Sequence, residues 1–297
     1  MDHHDVTTPD DLRLGPFRSI KGKRDRGDDM FVAESEIVLD RLLESAYRIR
    51  SVLLTPARAN RLRNQLSAAR DERAEPFEVL VAPQAVIDAV VGYPLHRGVI
   101  TLAERSPLPS ATELLVRSRT VLLLEDVADP ENIGSMFRHA AGFGVDAVIL
   151  HGHCGDPLYR KTIRTSMGWT LTIPYCQIDS TEGTIGDLLT QAGFVSLALT
   201  PSSDALPLLH VIDGLAQDAR IAIVLGAEGP GLKDETMAAT TYRARIPMSD
   251  GVDSLNVSTS AAIALFALTS SQPSRLSRSA SRSPRAEHEH CEPERKP

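Results

Sequence analysis

Residues 221–232, IAIVLGAEGPGL, decide how the chain is interpreted. The apolar run at 221–225 is typical of a buried strand. Three glycines, one carboxylate and one proline follow it, and this composition favours neither helix nor strand. Glycine allows the backbone to turn tightly and to approach a ligand closely. The stretch therefore predicts a strand that ends in a ligand-binding loop.

The glycine spacing in this loop does not match the common nucleotide-binding loops. A Walker loop requires Gly-Lys-Ser/Thr, which the chain lacks. A Rossmann fingerprint places G-x-G-x-x-G after the first strand, whereas this pattern differs and occurs late in the chain. The loop is thus predicted to bind a cofactor other than ATP or NAD. The glycines alone leave open an alternative, in which they are ordinary turn residues between a strand and a helix.

Two segments downstream extend the pattern. Residues 245–248, RIPM, are predicted as a short strand that Pro247 ends. Residues 254–258, SLNVS, lead into an apolar, alanine-rich terminal helix at 259–268. A second short strand is predicted upstream at residues 171–174, LTIP.

A strand, an acidic turn and a helix form a second candidate region. Residues 120–124 are predicted as a strand, and EDVADPENIG follows at 125–134. Asp129, Pro130 and Glu131 are typical of a helix start. The buried face of this helix is predicted to consist of Ile133, Phe137, Ala140 and Ala141, with Ser135, Arg138 and His139 pointing away. An arginine at this place, soon after a strand end, is well situated to face a cleft.

Composition limits the class of protein. The chain has 297 residues, 42% hydrophobic and 4% aromatic, which predicts two domains with aliphatic cores. The net charge of −7 argues against a globally basic nucleic-acid coat but allows a local basic patch. The sequence has no apolar run long enough for a membrane span and no secretory signal at its start. Three widely spaced cysteines indicate reduced thiols, so a cytoplasmic protein is expected.

The predicted elements divide the chain into five parts. Residues 1–29 form a polar arm, residues 30–105 a small α/β domain, and residues 106–110 a linker. Residues 111–270 form a second α/β domain, and residues 271–297 a disordered tail rich in serine and arginine. The arm is either ordered or a solvated tail, and regular structure is expected to begin at Met30. The basic residues of the arm either contact phosphates or stay solvated: Arg18, Lys21, Lys23, Arg24 and Arg26.

Two further groups of residues admit a functional interpretation. A helix after Pro56 carries Arg58, Arg61, Arg63 and Arg70, which form a solvated face more often than an RNA contact. Residues 151–154, HGHC, suggest metal ligands, but no further ligand cluster accompanies them, and we interpret them as a loop.

Three separated segments together resemble the motifs of one family. Residues 129–134, with Arg138, Ala140 and residues 143–144, resemble its first motif. Residues 225–232 resemble the second motif, and residues 246–248 with 254–258 resemble the third. The chain thus resembles a SpoU/TrmH-type RNA 2′-O-ribose methyltransferase of the SPOUT superfamily, from about residue 17 to residue 270. Thr259 and Ser260 depart from the valine and alanine that are more usual there.

Two other segments support the resemblance. Residues 164–168, RTSMG, resemble the segment between the first and second motifs. Residues 31–34 and 95–99 are similar to the family's ribosomal-protein-L30e-like RNA-binding domain.

The resemblance implies a fold, a cofactor and partners. It implies an α/β protein whose C-terminal SPOUT domain contains a deep trefoil knot, an exception to the rule against knotted chains, preceded by the L30e-like domain. It also implies S-adenosylmethionine as cofactor, RNA as substrate and a homodimer with the pocket near its interface. Neither a metal nor a membrane is expected.

The resemblance also assigns site residues. Those with expected catalytic roles are Asn132, Arg138, Glu228, Ser254 and Asn256. Those expected to bind the cofactor are Thr200, Leu225, Gly226, Gly231, Ile246, Met248 and Leu255.

The implied reaction is in-line attack of a ribose 2′-hydroxyl on a sulfonium methyl group, which needs positioning, desolvation and removal of a proton. The family's proposed base corresponds to Arg138, but arginine normally keeps its proton. A role as a clamp for phosphate and oxyanion therefore has equal weight. Ribosomal RNA is favoured over transfer RNA because of the L30e-like domain. A non-catalytic RNA-binding or ribosome-assembly factor on the same scaffold is the alternative.

Overall fold

The computed structural model of the protein describes residues 3–18, 29–73, 75–179 and 185–276. Within these ranges the chain forms two β-sheets that are covered by helices. The predicted α/β class is therefore confirmed. None of the helices in the described ranges is long and apolar enough to cross a membrane.

The first sheet is built from the N-terminal third of the chain. Its elements are β1 (His4–Asp5), β2 (Met30–Glu34), α1 (Glu36–Glu44), β3 (Ile49–Leu54), α2 (Pro56–Asp71), β4 (Glu78–Val81), α3 (Gln84–Val91) and β5 (Val99–Glu104). The strand order is β1-β4-β3-β5-β2. β3 and β4 are parallel, and β5 is antiparallel to both β2 and β3. Apolar side chains pack on both faces of the sheet, as expected for strands without polar alternation.

The N-terminal segment is part of the first sheet, so the expectation that structure begins at Met30 is wrong. β1 pairs with β4, and Val6 continues the pairing. Val6, Leu14 and Phe17 are at most 1% exposed and pack into the apolar cluster of this sheet. The segment is polar on average, and its few apolar residues follow no periodic pattern. Their burial therefore depends on the tertiary fold, which local sequence patterns do not report.

The basic residues of this segment are only partly described. Arg18 is exposed and donates a hydrogen bond from Nη2 to the carbonyl oxygen of Pro9 at 2.7 Å. Lys21, Lys23, Arg24 and Arg26 lie outside the described residues.

The second sheet is built from the remainder of the chain and is parallel throughout. Its strands are β6 (Thr120–Glu125), β7 (Ala147–His151), β8 (Tyr175–Ile178), β9 (Phe194–Leu199), β10 (Leu206–Pro207), β11 (Arg220–Leu225) and β12 (Tyr242–Arg245). The helices are α4 (Ala111–Arg117), α5 (Pro130–Gly142), α6 (Arg160–Thr165), α7 (Ile185–Gln191), α8 (Leu208–Asp213), α9 (Asp234–Ala239) and α10 (Val257–Ser271). The strand order is β10-β12-β9-β11-β6-β7-β8.

This order places the strand of the glycine loop at the centre of the sheet. β11 lies between β9 and β6, and buried apolar clusters cover both faces. In open parallel sheets, ligands bind at the carboxyl ends of the strands where the strand order reverses. Such a reversal occurs here between β11 and β6. The trefoil knot that the resemblance implies stays a prediction.

Two predicted short strands are wrong, and a proline accounts for the position of each. Residues 169–171 form a 3-10 turn, and the N–H groups of residues 171–173 bond to carbonyl oxygens nearby in sequence. The strand β8 begins only after Pro174. Likewise, β12 spans Tyr242–Arg245 and ends before Ile246 and Pro247. Proline has no N–H group for a sheet ladder, so it limits both strands.

The C-terminal end of the described chain also differs from expectation. α10 continues to Ser271, and a 3-10 turn follows at Pro273–Arg275. Arg275 is buried and donates from Nη1 to Thr120 Oγ1 at 2.9 Å and from Nη2 to the carbonyl oxygen of Ala219 at 2.6 Å. The disordered tail predicted from residue 271 is therefore wrong for residues 271–276, and residues 277–297 lie outside the described residues.

The two sheets share an apolar cluster. Leu158, Ile163 and Leu171, which belong to the second half of the chain, pack into a cluster formed mainly by α1, α2 and the first sheet. All three are at most 5% exposed. The expected linker at residues 106–110 is exposed and has no helix or strand. The division into two domains stays a prediction, because burial continues from one sheet to the other.

Polar contacts surround this cluster. Arg41 of α1 donates from Nε to the carbonyl oxygen of Met167 at 2.8 Å, and its guanidinium lies 3.4 Å from the ring centroid of Trp169. Arg160 Nη1 lies 2.7 Å from Glu34 Oε1. These contacts cross from the first sheet to residues 160–169, so the two sheets are held together by both polar and apolar contacts.

We predict that Ile163→Ala destabilises both sheets together. Removing this buried side chain should lower the free energy of unfolding by about 2–5 kcal/mol. Urea unfolding can be followed by circular dichroism and by fluorescence of Trp169, the chain's one tryptophan, which lies at the junction. Both signals should shift to lower urea by the same amount. Ile37→Ala, at a position on α1 that is 43% exposed, is the control and should have little effect. A shift in only one of the two signals would show that the sheets unfold independently.

Candidate functional site

A cavity of about 450 Å³ lies at the carboxyl ends of β9, β11 and β12. This volume is within the range of small-molecule sites. The cavity wall comes from four segments that are separate in sequence: Leu199, Thr200, Pro201, Leu225, Gly226, Ala227, Glu228, Gly229, Gly231, Ala244, Ile246, Met248, Ser254, Leu255, Asn256, Val257 and Ser260. All seven residues that the resemblance assigns to the cofactor are in this wall. Three of the five expected catalytic residues also line it, namely Glu228, Ser254 and Asn256.

The glycine loop folds back on itself where it forms the cavity wall. Ala227 and Gly231 form an isolated antiparallel bridge, and the N–H of Gly231 donates to the carbonyl oxygen of Ala227 at 3.0 Å. A Cβ atom on Gly226 would lie 2.2 Å from the carbonyl carbon of Gly231 and 2.3 Å from the nitrogen of Leu232. Real Cβ atoms do not approach backbone this closely. Glycine is therefore required at position 226 for the loop to close.

The Asn256 side chain connects this loop to two helices. Its Nδ2 donates to Glu228 Oε1 at 2.6 Å and to Asn132 Oδ1 at 2.9 Å. Its Oδ1 accepts the N–H groups of Ser258 and Thr259 at 2.9 and 3.2 Å and so caps α10. Asn132 belongs to the first turn of α5. A single amide thus brings together the three segments that the sequence analysis singles out as motifs.

Arg138 lies outside this network. It is exposed and does not line the cavity. Arg138 is six residues beyond Asn132 in α5, so it lies about 9 Å further along the helix axis and roughly 120° around it. The neighbouring His139 is half-buried, and its pKa is lowered by burial and by the positive charge of Arg138. The structure therefore does not bring Arg138 together with the cavity residues of the same chain.

The start of α5 explains the position of Asn132. Asp129 caps the helix, its Oδ1 accepting the N–H groups of Glu131 and Asn132 at 2.7 and 3.1 Å. Pro130 occupies the first turn, where its missing N–H has no consequence. Gly134 allows close packing against α6, because a Cβ there would lie 2.7 Å from Thr165 Cβ. The sequence signals for the helix start were therefore sufficient to predict this part of the site.

Sequence reasoning missed several residues of the wall. Leu199, Pro201, Ala244 and Ser260 line the cavity without having been predicted, whereas Ala227, Gly229 and Val257 belong to predicted motifs but had no individual role. Leu199 and Ala244 lie near the ends of β9 and β12, which pair with each other. A prediction that these two strands are neighbours would have placed both residues at the cavity, because the carboxyl ends of parallel strands lie at the same edge of a sheet.

Residues 151–154 do not form a metal site in the described ranges. Among those residues, no group of three or more His, Cys, Asp and Glu side chains is arranged to hold a metal ion. His151 is buried at the end of β7, with Nδ1 3.1 Å from Glu125 Oε1. The pKa of the Cys154 thiol is raised to about 11 by burial.

Known proteins resemble this chain in sequence. Residues 119–266 match the model of the SpoU rRNA methylase family. An uncharacterized tRNA/rRNA methyltransferase of Mycobacterium tuberculosis is 39% identical over 276 residues, which are 91% of this chain and 93% of the relative. The 23S rRNA (guanosine-2′-O-)-methyltransferase RlmB of Acinetobacter baylyi is 29% identical over 202 residues, which are 66% of this chain and 80% of the relative.

Solved structures share the fold. An AdoMet-bound rRNA methyltransferase from Sinorhizobium meliloti has a TM-score of 0.73 at 22% identity and covers 90% of this chain and 97% of its own. The SpoU methyltransferase AviRb from Streptomyces viridochromogenes, in complex with AdoMet, has a TM-score of 0.72 at 21% identity, covering 90% of this chain and 99% of its own.

These findings confirm the predicted family. The family model spans most of the second sheet, and the mycobacterial relative aligns with nearly the whole chain. This protein therefore belongs to the SpoU rRNA methylase family.

Proposed function

We propose that this protein transfers a methyl group from S-adenosylmethionine to a ribose 2′-hydroxyl of RNA. The observation that carries the proposal is the convergence of three sequence motifs on one cavity through the Asn256 amide. The relatives include a guanosine-2′-O-methyltransferase, which supports the same reaction. Two neighbours of the same fold have AdoMet bound.

The residues of the cavity fit a nucleoside with a sulfonium side chain. Leu225, Ile246 and Leu255 offer apolar surface to an adenine ring. Gly226 and Gly231 also line the cavity, and Gly231 is exposed, so its backbone is accessible to a ligand. S-adenosylmethionine supplies a methyl group that is already electrophilic. The protein therefore has to hold the acceptor hydroxyl, exclude water and remove one proton.

The polar residues at the cavity rim have distinct tasks in this proposal. Glu228 and Asn132 each accept one hydrogen from the Asn256 amide, which fixes the positions of all three side chains. Ser254 lines the cavity and is exposed, so its hydroxyl is available to the ribose. Arg138 contacts the RNA, either as the base that takes the proton or as a clamp on phosphate and the developing oxyanion.

The position of Arg138 supports a homodimer. Arg138 is exposed and apart from the cavity of its own chain, and it lies on α5, which packs against α10. Phe266 of α10 is 62% exposed. Val252, two residues before Ser254 of the cavity wall, is 48% exposed. Aromatic side chains such as that of Phe266 are enriched at protein interfaces. We infer that a second copy of the chain supplies its Arg138 to this cavity.

Ribosomal RNA is the substrate we favour. RlmB, one of the relatives, is named for 23S rRNA, whereas the mycobacterial relative is named for both tRNA and rRNA. The arginines of α2 add little to this choice, because Arg58 and Arg61 form ion pairs with Glu36. Mapping 2′-O-methylated nucleotides in total RNA, from cells with and without the protein, tests the choice. Loss of a methylated nucleotide in transfer RNA alone would overturn it, and loss of none would favour the non-catalytic alternative.

We predict that Gly226→Ala prevents binding of S-adenosylmethionine. The added Cβ would overlap the backbone of residues 231 and 232, so the loop must open. Calorimetric titration should detect no binding, whereas the folded state and the oligomeric state should persist. Gly15→Ala is the control, because a Cβ there meets nothing within 4 Å. Unchanged affinity of the Gly226→Ala variant would remove the glycine loop from the cofactor site.

We predict that Arg138→Ala lowers methyl transfer by about a hundredfold or more and leaves the affinity for S-adenosylmethionine nearly unchanged. Single-turnover methylation of the mapped RNA measures the first quantity, and calorimetry the second. Arg13→Ala, which removes an exposed arginine far from the cavity, is the charge control. Turnover near that of the wild type in the Arg138→Ala variant would exclude Arg138 from the mechanism.

The Arg138→Lys variant separates the two roles of Arg138. Lysine keeps the charge, loses the planar guanidinium and gives up its proton more readily. A base predicts partial rescue that increases with pH, whereas a clamp predicts poor activity at every pH, since the bidentate geometry is lost. The measurement is the single-turnover rate across a pH series with all three proteins.

A further inference from the structure

Two adjacent carboxylates at the end of β6 have no role in the proposed chemistry. Glu125 and Asp126 form the acidic turn between β6 and α5. The Glu125 side chain is fully buried, which is costly for a carboxylate unless it is paired and hydrogen-bonded. Asp126 has a φ angle of +55°. This is a left-handed backbone conformation, which is uncommon for residues other than glycine, although aspartate adopts it more often than most. The buried carboxylate therefore requires partners that keep it ionised.

Both carboxylates hold Lys233. Glu125 Oε2 accepts the backbone N–H of Lys233 at 2.8 Å, and Asp126 Oδ2 lies 2.8 Å from Lys233 Nζ. Glu125 Oε1 also accepts the Thr236 hydroxyl of α9 at 2.6 Å. The backbone and the side chain of Lys233 thus both bond to the end of β6. Helix α9, which follows Lys233, bonds to the Glu125 carboxylate as well.

The same turn is braced by the neighbouring strand. His151 Nδ1 of β7 lies 3.1 Å from Glu125 Oε1, and Asp126 Oδ1 accepts the N–H of His153 at 2.7 Å. Burial opposes the charge of Glu125, but the hydrogen bonds from His151, Thr236 and the Lys233 N–H outweigh it and lower the pKa of this carboxyl. Glu125 therefore stays ionised and keeps its acceptors directed at residues 233 and 236.

Lys233 directly follows the glycine loop. Residues 231 and 232 pack against Gly226 so closely that a single methyl group would not fit between them. The place of Lys233 therefore determines how near residues 231 and 232 come to Gly226. Gly226 and Gly231 both form the cavity wall. Gly231 is only two residues before Lys233, so a change in the position of Lys233 would also move this part of the wall.

We propose that Glu125 and Asp126 are positioning residues that hold the glycine loop, through Lys233 and Thr236, in the conformation that binds the methyl donor. This inference rests on the proposed function for its ligand. Neither carboxylate lines the cavity. Their effect is on the affinity for the donor and not on the chemical step.

The test uses two variants. Thr236→Val removes one hydrogen bond to Glu125 and preserves the shape of the side chain. Lys233→Met removes the ion pair with Asp126 and leaves the backbone N–H in place. Thr236→Val should weaken binding of S-adenosylmethionine by about tenfold in calorimetry. Lys233→Met should weaken it by about threefold, because the ion pair with Asp126 is partly exposed to solvent. The rate at saturating donor should stay within about twofold of the wild type. Thr236→Ser retains the hydroxyl and should restore the affinity.

A matched control separates positioning from general loss of stability. Ser118 is a buried residue just before β6, at the opposite edge of the sheet, and its hydroxyl donates to the carbonyl oxygen of Leu114 at 2.7 Å. Ser118→Ala should lower the melting temperature without changing donor affinity. Affinity unchanged in both Thr236→Val and Lys233→Met would overturn the proposal, as would an equal loss in Ser118→Ala.

Hydrogen exchange in the protein without ligand distinguishes this proposal from the proposed function. The amides of residues 226–233 should exchange about tenfold faster in Thr236→Val and about threefold faster in Lys233→Met than in the wild type or in Ser118→Ala. Wild-type protein that fails to bind S-adenosylmethionine would refute the proposed function and the ligand named here. Unchanged exchange in the two variants would refute the positioning role, whatever the ligand.

Discussion

The side-chain amide of Asn256 joins three segments that are far apart in the chain. Its partner Asn132 is 124 residues away, and its partner Glu228 is 28 residues away. The same side chain caps α10, a contact worth about 1 kcal/mol in other helices. Its hydrogen bond to the Glu228 carboxylate belongs to the stronger, charge-assisted class. This amide thus links the start of α5, the glycine loop and the start of α10, in addition to the apolar packing of α5 against α10.

The parallel sheet explains why these segments meet. Each strand of the second sheet ends at the same edge, and β11 lies between β9 and β6. The loops that follow these strands are therefore neighbours, although they are distant in sequence. Both α5 and α10 begin at this edge with a capped N-terminus. The site is thus a consequence of strand order, and its polar network fixes the details.

Sequence patterns predicted the parts of this arrangement that are determined locally. The apolar run of β11, the glycines after it and the Asp129-Pro130-Glu131 helix start each reflect a local backbone preference, and the structure has them as expected. Three features were missed because they depend on distant contacts. The burial of Val6, Leu14 and Phe17, the cluster shared by the two sheets and the separation of Arg138 from the cavity are set by packing between elements, which no local pattern reports.

The shared cluster also affects how the chain folds during its synthesis. The first sheet is complete once Glu104 has been made, but its apolar cluster still lacks Leu158, Ile163 and Leu171. At about 5–20 residues per second, the interval between Glu104 and Leu171 lasts roughly 3–13 s. Throughout that interval these three side chains are not yet available to cover the apolar residues of α1, α2 and the first sheet. This protein therefore has a defined period on the ribosome when a chaperone that binds apolar surface has its target.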